Sequence, residues 1–270
     1  MKPVEQYKIK DDTGFHYKSL ICSLAGSVGF KSQFSDLDYR IKELTQSFFN
    51  QWRFIIETYQ RLYFLFSSLN KCSDNSGSIS RLSEFDMYAS KHELDFKDFS
   101  YLLIVSLKTY LDLFACIIDI IINQKIRPEH SLPDFKSFGR KSKRIPIEIS
   151  NAFKDYMDEN KYPWISQVIE IRNMIIHRGY HLKLKIGFKK TDSLIIQAYK
   201  GTDFYTNQVL INIGDIFNSF LLQMPKIEEK ISNLLIEKVE LLNKTLDYEM
   251  SYSFGDLINN YVYKELKPGS

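Results

Sequence analysis

The stretch YLLIVSLKTYLDLFACIIDIII, residues 101–122, decides the fold of this chain because it is apolar almost throughout. Its length would suit a membrane span, but Lys108, Asp112 and Asp119 interrupt it, and charges inside a bilayer are costly. We therefore predict no membrane association and a buried core helix from about residue 95 to residue 123. The other helices are expected to pack around it.

The composition also favours a helix-rich protein. The 270 residues include only 11 Gly and 7 Pro, while 44% are hydrophobic. The formal charge of +3 is almost balanced, so any anion-binding site must come from local clustering of basic residues. The three cysteines are widely spaced and the N-terminus lacks a signal-peptide pattern, which predicts reduced thiols in a cytoplasmic protein.

Helical periodicity and loop signals divide the first part of the chain into segments. We predict an irregular lead-in over residues 1–30, a long helix at 36–69 and a Ser-rich loop at 71–78. A weaker helix at 79–92 and the core helix at 95–123 follow. A connector rich in Pro and basic residues at 126–149 then leads to a further helix at 148–159. Pro163 then suits the first turn of the next helix, and Gly179 suits its end.

After Gly179 the period changes to an alternation of polar and apolar residues, which is typical of half-buried strands. We predict two strands at residues 181–189 and 194–199 and a short third strand at 208–212. A helix at 215–242, bent near Pro225, and a weak short helix at 256–263 follow. The fold predicted is therefore mainly α, an antiparallel helical bundle with a small β-hairpin or three-stranded flap inserted at about 181–212. No second core is evident, so one domain over 1–270 is expected.

The segment EIRNMIIHRG, residues 170–179, contains the candidate functional residues. At 100° per residue, Arg172 falls in the middle of an apolar stripe that includes Ile165 and Ile176. A guanidinium cannot lose its proton, and leaving it buried and unpaired would cost several kcal/mol. Arg172 must therefore meet an acidic partner, or face a cleft or interface where it binds an anion.

Two further polar residues of this segment, Asn173 and His177, are four positions apart and share one face of the helix. Arg172 lies about 140° around the helix from His177. Although the Arg side chain is long, this offset favours a site built from two copies of the helix across a two-fold axis.

The sequence Arg172-Asn173-Met174-Ile175-Ile176-His177 resembles the Arg-x(4–6)-His motif of the HEPN superfamily (higher eukaryotes and prokaryotes nucleotide-binding), which bacterial proteins share. The residue after the Arg and the Gly179 that follows the His match the habits of the family. The resemblance covers about 95–245, which would form a HEPN-like core. Residues 1–70 would be an N-terminal helical extension, and residues 246–270 a C-terminal tail.

The resemblance implies a metal-independent endoribonuclease that acts as a homodimer in defence or in a toxin–antitoxin system, with RNA as substrate and an antitoxin or regulator as partner. His177 would transfer protons, Arg172 would hold the scissile phosphate, and Asn173 would bind the phosphate or orient the imidazole. No metal or cofactor is expected. Nearby basic and aromatic residues are candidates for substrate binding: Arg140, Lys141, Arg178, Tyr180, His181 and Lys183, with Tyr162 and Trp164 as further candidates for base stacking.

Simpler interpretations of the same residues remain open. In one of them, Arg172 would form a structural ion pair with Asp112 or Asp119. Otherwise Asp112, Asp119 and Glu170 are candidates for residues that contact and orient the side chains of the site. The lysines after the motif would be the solvent-facing side of a strand, and residues 140–144 a solvated loop. A non-catalytic HEPN-like module that binds RNA, a nucleotide or a partner protein is the alternative function.

Overall fold

The computed structural model describes residues 21–22, 24–26, 35–74, 91–125, 132–141, 145–178, 180–184, 195–200 and 208–238. Residues 79–90 of the helix predicted at 79–92, the helix predicted at 256–263, the loop residues 75–78 and the tail at 246–270 lie outside these ranges. The elements, in chain order, are helices and strands with these bounds: α1 Ser35–Asp74, α2 Glu93–Asn123, α3 Phe135–Lys141, α4 Ile147–Tyr156, α5 Pro163–Arg178, β1 Tyr180–Leu184, β2 Ile195–Lys200, β3 Gln208–Asn212 and α6 Ile213–Lys238. The described chain is mainly helical, as predicted.

Helix α2 forms the centre of the core, and most of its residues are buried. The three charged residues that interrupt its apolar run have partners: Lys108 donates to Asp112 at 2.5 Å, and Asp119 accepts from the Asn123 amide at 2.9 Å. Within the described residues, α2 is the one helix long and apolar enough to cross a membrane, and 61% of its most apolar window is buried inside the protein. This burial fits the core helix that the sequence predicts.

Helix α1 runs antiparallel to α2 and packs along it. The ring of Phe48 stacks on Tyr110 with 4.2 Å between centroids, while the Arg61 guanidinium lies 5.8 Å from the centroid of Phe99. Later residues of α1 thus meet earlier residues of α2. The buried side of α1 belongs to the same core as the rest of the bundle, so residues 35–74 form an integral layer of it.

Two predicted irregular segments contain helix. In the predicted lead-in, residues 21, 22 and 24–26 are helical, and all of them except Gly26 are buried. In the predicted connector, Asp134 accepts the backbone N–H of Ser137 at 3.0 Å and so caps the start of α3. Phe135 and Phe138 of α3 are buried. The loop prediction was also wrong for residues 71–74, which continue α1.

The three strands form an antiparallel sheet in the order β1-β2-β3. The register places Leu182 opposite Ala198 and Ala198 opposite Val209, so these three residues share a face of the sheet. Ile211 lies two residues after Val209 in β3 and therefore lies on the same face. Leu182 and Ile211 are buried, whereas His181 and Leu210 on the other face are exposed. The sheet contacts α2, α5 and α6. It therefore packs on the bundle through one face.

Helix α6 follows the sheet directly and closes the bundle. Asn212, the last residue of β3, accepts the backbone N–H of Asp215 at 3.2 Å and donates to its carboxylate at 2.6 Å. This cap explains why the helix begins at Ile213, two residues before the predicted start. The helix continues through Pro225 to Lys238.

Candidate functional site

The first half of α5 is anchored in the core. Pro163 is its first residue, as predicted, and the Tyr162 carbonyl accepts the backbone N–H of Ile165 at 3.1 Å. The indole of Trp164 is buried, donates to Gln223 of α6 at 2.9 Å and packs edge-on against Phe220. Trp164 therefore cannot stack on a base, and its prediction as a stacking residue was wrong.

The buried side of α5 changes along its length. In the first half Ile165, Val168 and Ile169 are buried, but in the second half the buried residues are Ile171 and Met174. Arg172 is consequently half-buried, and Ile176, on the same apolar stripe, is 41% exposed. The apolar stripe therefore does not hold Arg172 among core residues, because the stripe leaves the core before the helix ends.

Arg172, Asn173 and His177 form one hydrogen-bonded cluster. The Nη1 group of Arg172 donates to Nε2 of His177 at 2.9 Å and to Oδ1 of Asn173 at 3.2 Å. The Arg172 side chain is long enough to reach His177 although the two residues lie about 140° apart around the helix. The offset is therefore no argument for a second copy of the helix, since one chain brings the three residues together. The homodimer itself stays a prediction.

The hydrogen bond to His177 fixes the form of its imidazole. A guanidinium group carries N–H donors and no acceptor, so Nε2 must offer its lone pair. The ring is then neutral, with its proton on Nδ1. His177 is exposed, so this contact lies at the surface of the protein.

No carboxylate among the described residues lies within ion-pair distance of Arg172. Asp112 is held by Lys108 and accepts the backbone N–H of Phe135 at 3.0 Å, and Asp119 accepts from Asn123. Both carboxylates lie near Cys116, where burial first and their charges second raise the pKa of the thiol to about 12. A structural ion pair of Arg172 with Asp112 or Asp119 was thus a wrong expectation, and neither of them supports Arg172 directly.

The other candidate residues are placed only in part. Glu170 is exposed on α5, and His181 is exposed on β1. The structure gives backbone positions for five more, while their side chains lie outside the described part of the chain: Arg140 and Lys141 at the end of α3, Arg178 at the end of α5, and Tyr180 and Lys183 in β1. Their predicted contacts with a substrate stay predictions. Residues 140 and 141 belong to a helix rather than to a loop.

Ile176 is a residue of the site that the sequence did not single out. It lies four positions after Arg172, next to it on the helix surface, and exposes an apolar side chain beside the guanidinium. Its place on the apolar stripe made it look like a core residue. An exposed apolar side chain next to an unneutralised cation suits a ligand or a partner that offers both an anionic group and a flat apolar surface.

Among the described residues no three His, Cys, Asp or Glu side chains are grouped closely enough to hold a metal ion. The described part of the chain therefore offers a cation–imidazole site and no ligand set for a metal. Comparison of the sequence and structure with family models, curated proteins and solved structures finds no match.

Proposed function

We propose that this protein is a metal-independent endoribonuclease of the HEPN type, acting in defence or in a toxin–antitoxin system. The observation that carries the proposal is the hydrogen-bonded cluster of the half-buried Arg172 and Asn173 with the exposed His177 at the end of α5. Its guanidinium is not neutralised by a described carboxylate, so its charge is available to a phosphate group. The imidazole beside it is the side chain best suited to proton transfer near neutral pH.

The chemistry needs no added reactant. The 2′-hydroxyl of RNA attacks the adjacent phosphorus while a base takes its proton, and the bond from phosphorus to the 5′-oxygen breaks as that oxygen receives a proton. The products are a 2′,3′-cyclic phosphate and a 5′-hydroxyl. Because the attacking group belongs to the substrate, DNA would not be cleaved.

Each residue of the cluster has a distinct role in this proposal. Arg172 binds two phosphate oxygens and stabilises the negative charge that develops on them in the transition state. His177 transfers protons through Nε2. Asn173 holds the guanidinium through its Oδ1, and its amide N–H groups are further donors to the phosphate.

The remaining parts of the proposal concern partners. We place the cluster of each chain at the interface of a homodimer, where the exposed side chain of Ile176 would be covered. The basic residues of α3, α5 and β1 would contact the RNA backbone, an antitoxin or regulator would control the site, and the protein would act in the cytoplasm.

A second candidate function is favoured by one detail of the same cluster. The Nε2 lone pair that a base needs is occupied by Arg172. If that contact persisted in the complex with RNA, Arg172 would hold phosphate while His177 served only to orient it. The protein would then be a non-catalytic module that binds RNA, a nucleotide or an acidic partner.

The test is an RNA cleavage assay in EDTA with the full-length protein. We expect cleavage by the parent, and none by Arg172→Ala or His177→Ala. Matched controls are Arg53→Ala, which removes an exposed Arg paired with Glu57, and His92→Ala, which removes a His paired with Asp95. Cleavage by a clean His177→Ala preparation would overturn the proposal. RNA binding without cleavage by the parent would favour the second candidate.

A further inference from the structure

The distribution of hydrogen bonds around Arg172 is uneven. A guanidinium has five N–H donors, and Nη1 carries two of them. Both are used, one on Asn173 and one on His177. Among the described residues, Nε and Nη2 have no hydrogen-bond partner. No described residue therefore pairs with the edge of the guanidinium formed by Nε and Nη2, and this is an edge that can bind two phosphate oxygens at once.

The hydrogen bond from Nη1 of Arg172 has a chemical consequence for His177. With Nη1 of Arg172 at 2.9 Å, the Nε2 lone pair cannot accept a proton from a hydroxyl group. A protonated Nε2 would also place two N–H donors and two positive charges against each other. The imidazole is thus neutral in this arrangement, and the nitrogen that must act is covered.

A phosphodiester is a stronger acceptor for a guanidinium than a neutral imidazole, because it carries a negative charge and can accept two parallel N–H bonds at once. The cluster is exposed at His177 and only half-buried at Arg172, so exchanging one partner for the other requires no opening of the core. An anion that first contacts the open edge is well placed to draw the whole guanidinium towards itself.

We propose that Arg172 keeps His177 covered in the free protein and that a substrate phosphate uncovers it. Binding of the phosphate to Arg172 removes Nη1 from Nε2, and the freed lone pair then meets the 2′-hydroxyl of the same RNA. This inference rests on the proposed function, since it concerns the same two residues. Binding of the phosphate by Arg172 and activation of His177 as a base then occur together.

Nuclear magnetic resonance tests the proposal without an activity readout. Long-range proton–nitrogen spectra of the ¹⁵N-labelled full-length protein report which nitrogen of each of its five histidines carries the proton. His177→Gln identifies the His177 signals. At pH 8 we expect the Nδ1–H form of His177 in the parent and in Arg53→Ala, and the Nε2–H form in Arg172→Ala.

Inorganic phosphate is the probe for uncovering. Added to the parent, it should shift the His177 signals towards those of Arg172→Ala, whereas chloride at the same ionic strength should not. An Nε2–H form in the free parent, the same form in parent and Arg172→Ala, or no response to phosphate would each overturn the proposal.

The two proposals fail in different ways. A parent that cleaves RNA but has an uncovered His177 keeps the proposed function and refutes the covered state. A parent that has the covered state and responds to phosphate, but never cleaves RNA, keeps this inference and loses the proposed function.

Discussion

The carboxyl group of Glu228 in α6 is fully buried and accepts a hydrogen bond from the backbone N–H of Ile21. Burial disfavours the charged form and raises the pKa of this carboxyl from 4.5 to about 8, although the bond to Ile21 partly opposes the shift. One buried acid thus connects the last described helix to the first described residues. The relationship gives the protein a pH dependence of its stability that is independent of any activity.

Because the pKa of Glu228 is raised in the folded protein, the unfolded chain releases this proton at lower pH. The contribution to stability is fully present below about pH 4.5 and is lost as the pH rises towards 8. At about 1.4 kcal/mol per tenfold change in proton affinity, raising the pKa from 4.5 to about 8 corresponds to a total loss on the order of 5 kcal/mol. Glu228→Gln keeps an acceptor for Ile21 and should abolish most of this dependence.

Urea unfolding at several pH values between 5 and 9 measures this effect. Glu229→Gln, an exposed neighbour on the same helix, is the control and should unfold in parallel with the parent. Parallel curves for the parent and Glu228→Gln would contradict the prediction.

Arg172→Ala should leave stability almost unchanged. The side chain is half-buried and, among the described residues, hydrogen-bonds to Asn173 and His177 near the surface, so the expected change in the free energy of unfolding is within about 0.5 kcal/mol. Thermal or urea unfolding checks this. A loss of several kcal/mol would mean that Arg172 has a structural role, and loss of cleavage by this variant would then carry no information about the site.

Asp112→Ala should destabilise the protein by about 1–3 kcal/mol, because it leaves the nearly buried Lys108 without its partner and the Phe135 N–H without its acceptor. Lys108→Met should cost less, since Asp112 is one-third exposed and keeps the Phe135 bond. Both variants are compared by denaturant unfolding. If Asp112→Ala instead removed cleavage without any loss of stability, a direct role of Asp112 in the site would have to be reconsidered.

Two phenylalanines of α1 test whether this helix is part of the core. Phe48 is fully buried and stacks on Tyr110, whereas Phe64 is 71% exposed. Phe48→Ala should therefore cost about 3–5 kcal/mol, and Phe64→Ala close to nothing. Urea unfolding of the two variants is the measurement. Equal effects would show that α1 is dispensable for the packing of the bundle.

The backbone of this protein was largely predictable because its signals are local. The apolar run of α2, Pro163 at the start of α5 and the alternation in β1 each define an element without reference to distant residues. The short helix α3 was missed because the Asp134 cap and two buried phenylalanines outweigh the surrounding prolines and charges.

The side chains of the site were less predictable, for a different physical reason. A helical wheel treats the core-facing side as constant along the helix, but on α5 that side rotates and releases Arg172 and Ile176 towards the solvent. A wheel also gives directions of Cβ atoms and not the reach of a long side chain. The contact between Arg172 and His177 depends on that reach.

A single residue separates the end of α5 at Arg178 from the start of β1 at Tyr180. His177 is therefore no more than about 10 Å of extended chain from the first strand. The buried side chains of Leu182 and Ile211 pack the sheet on the bundle, so β1 limits how far His177 can move.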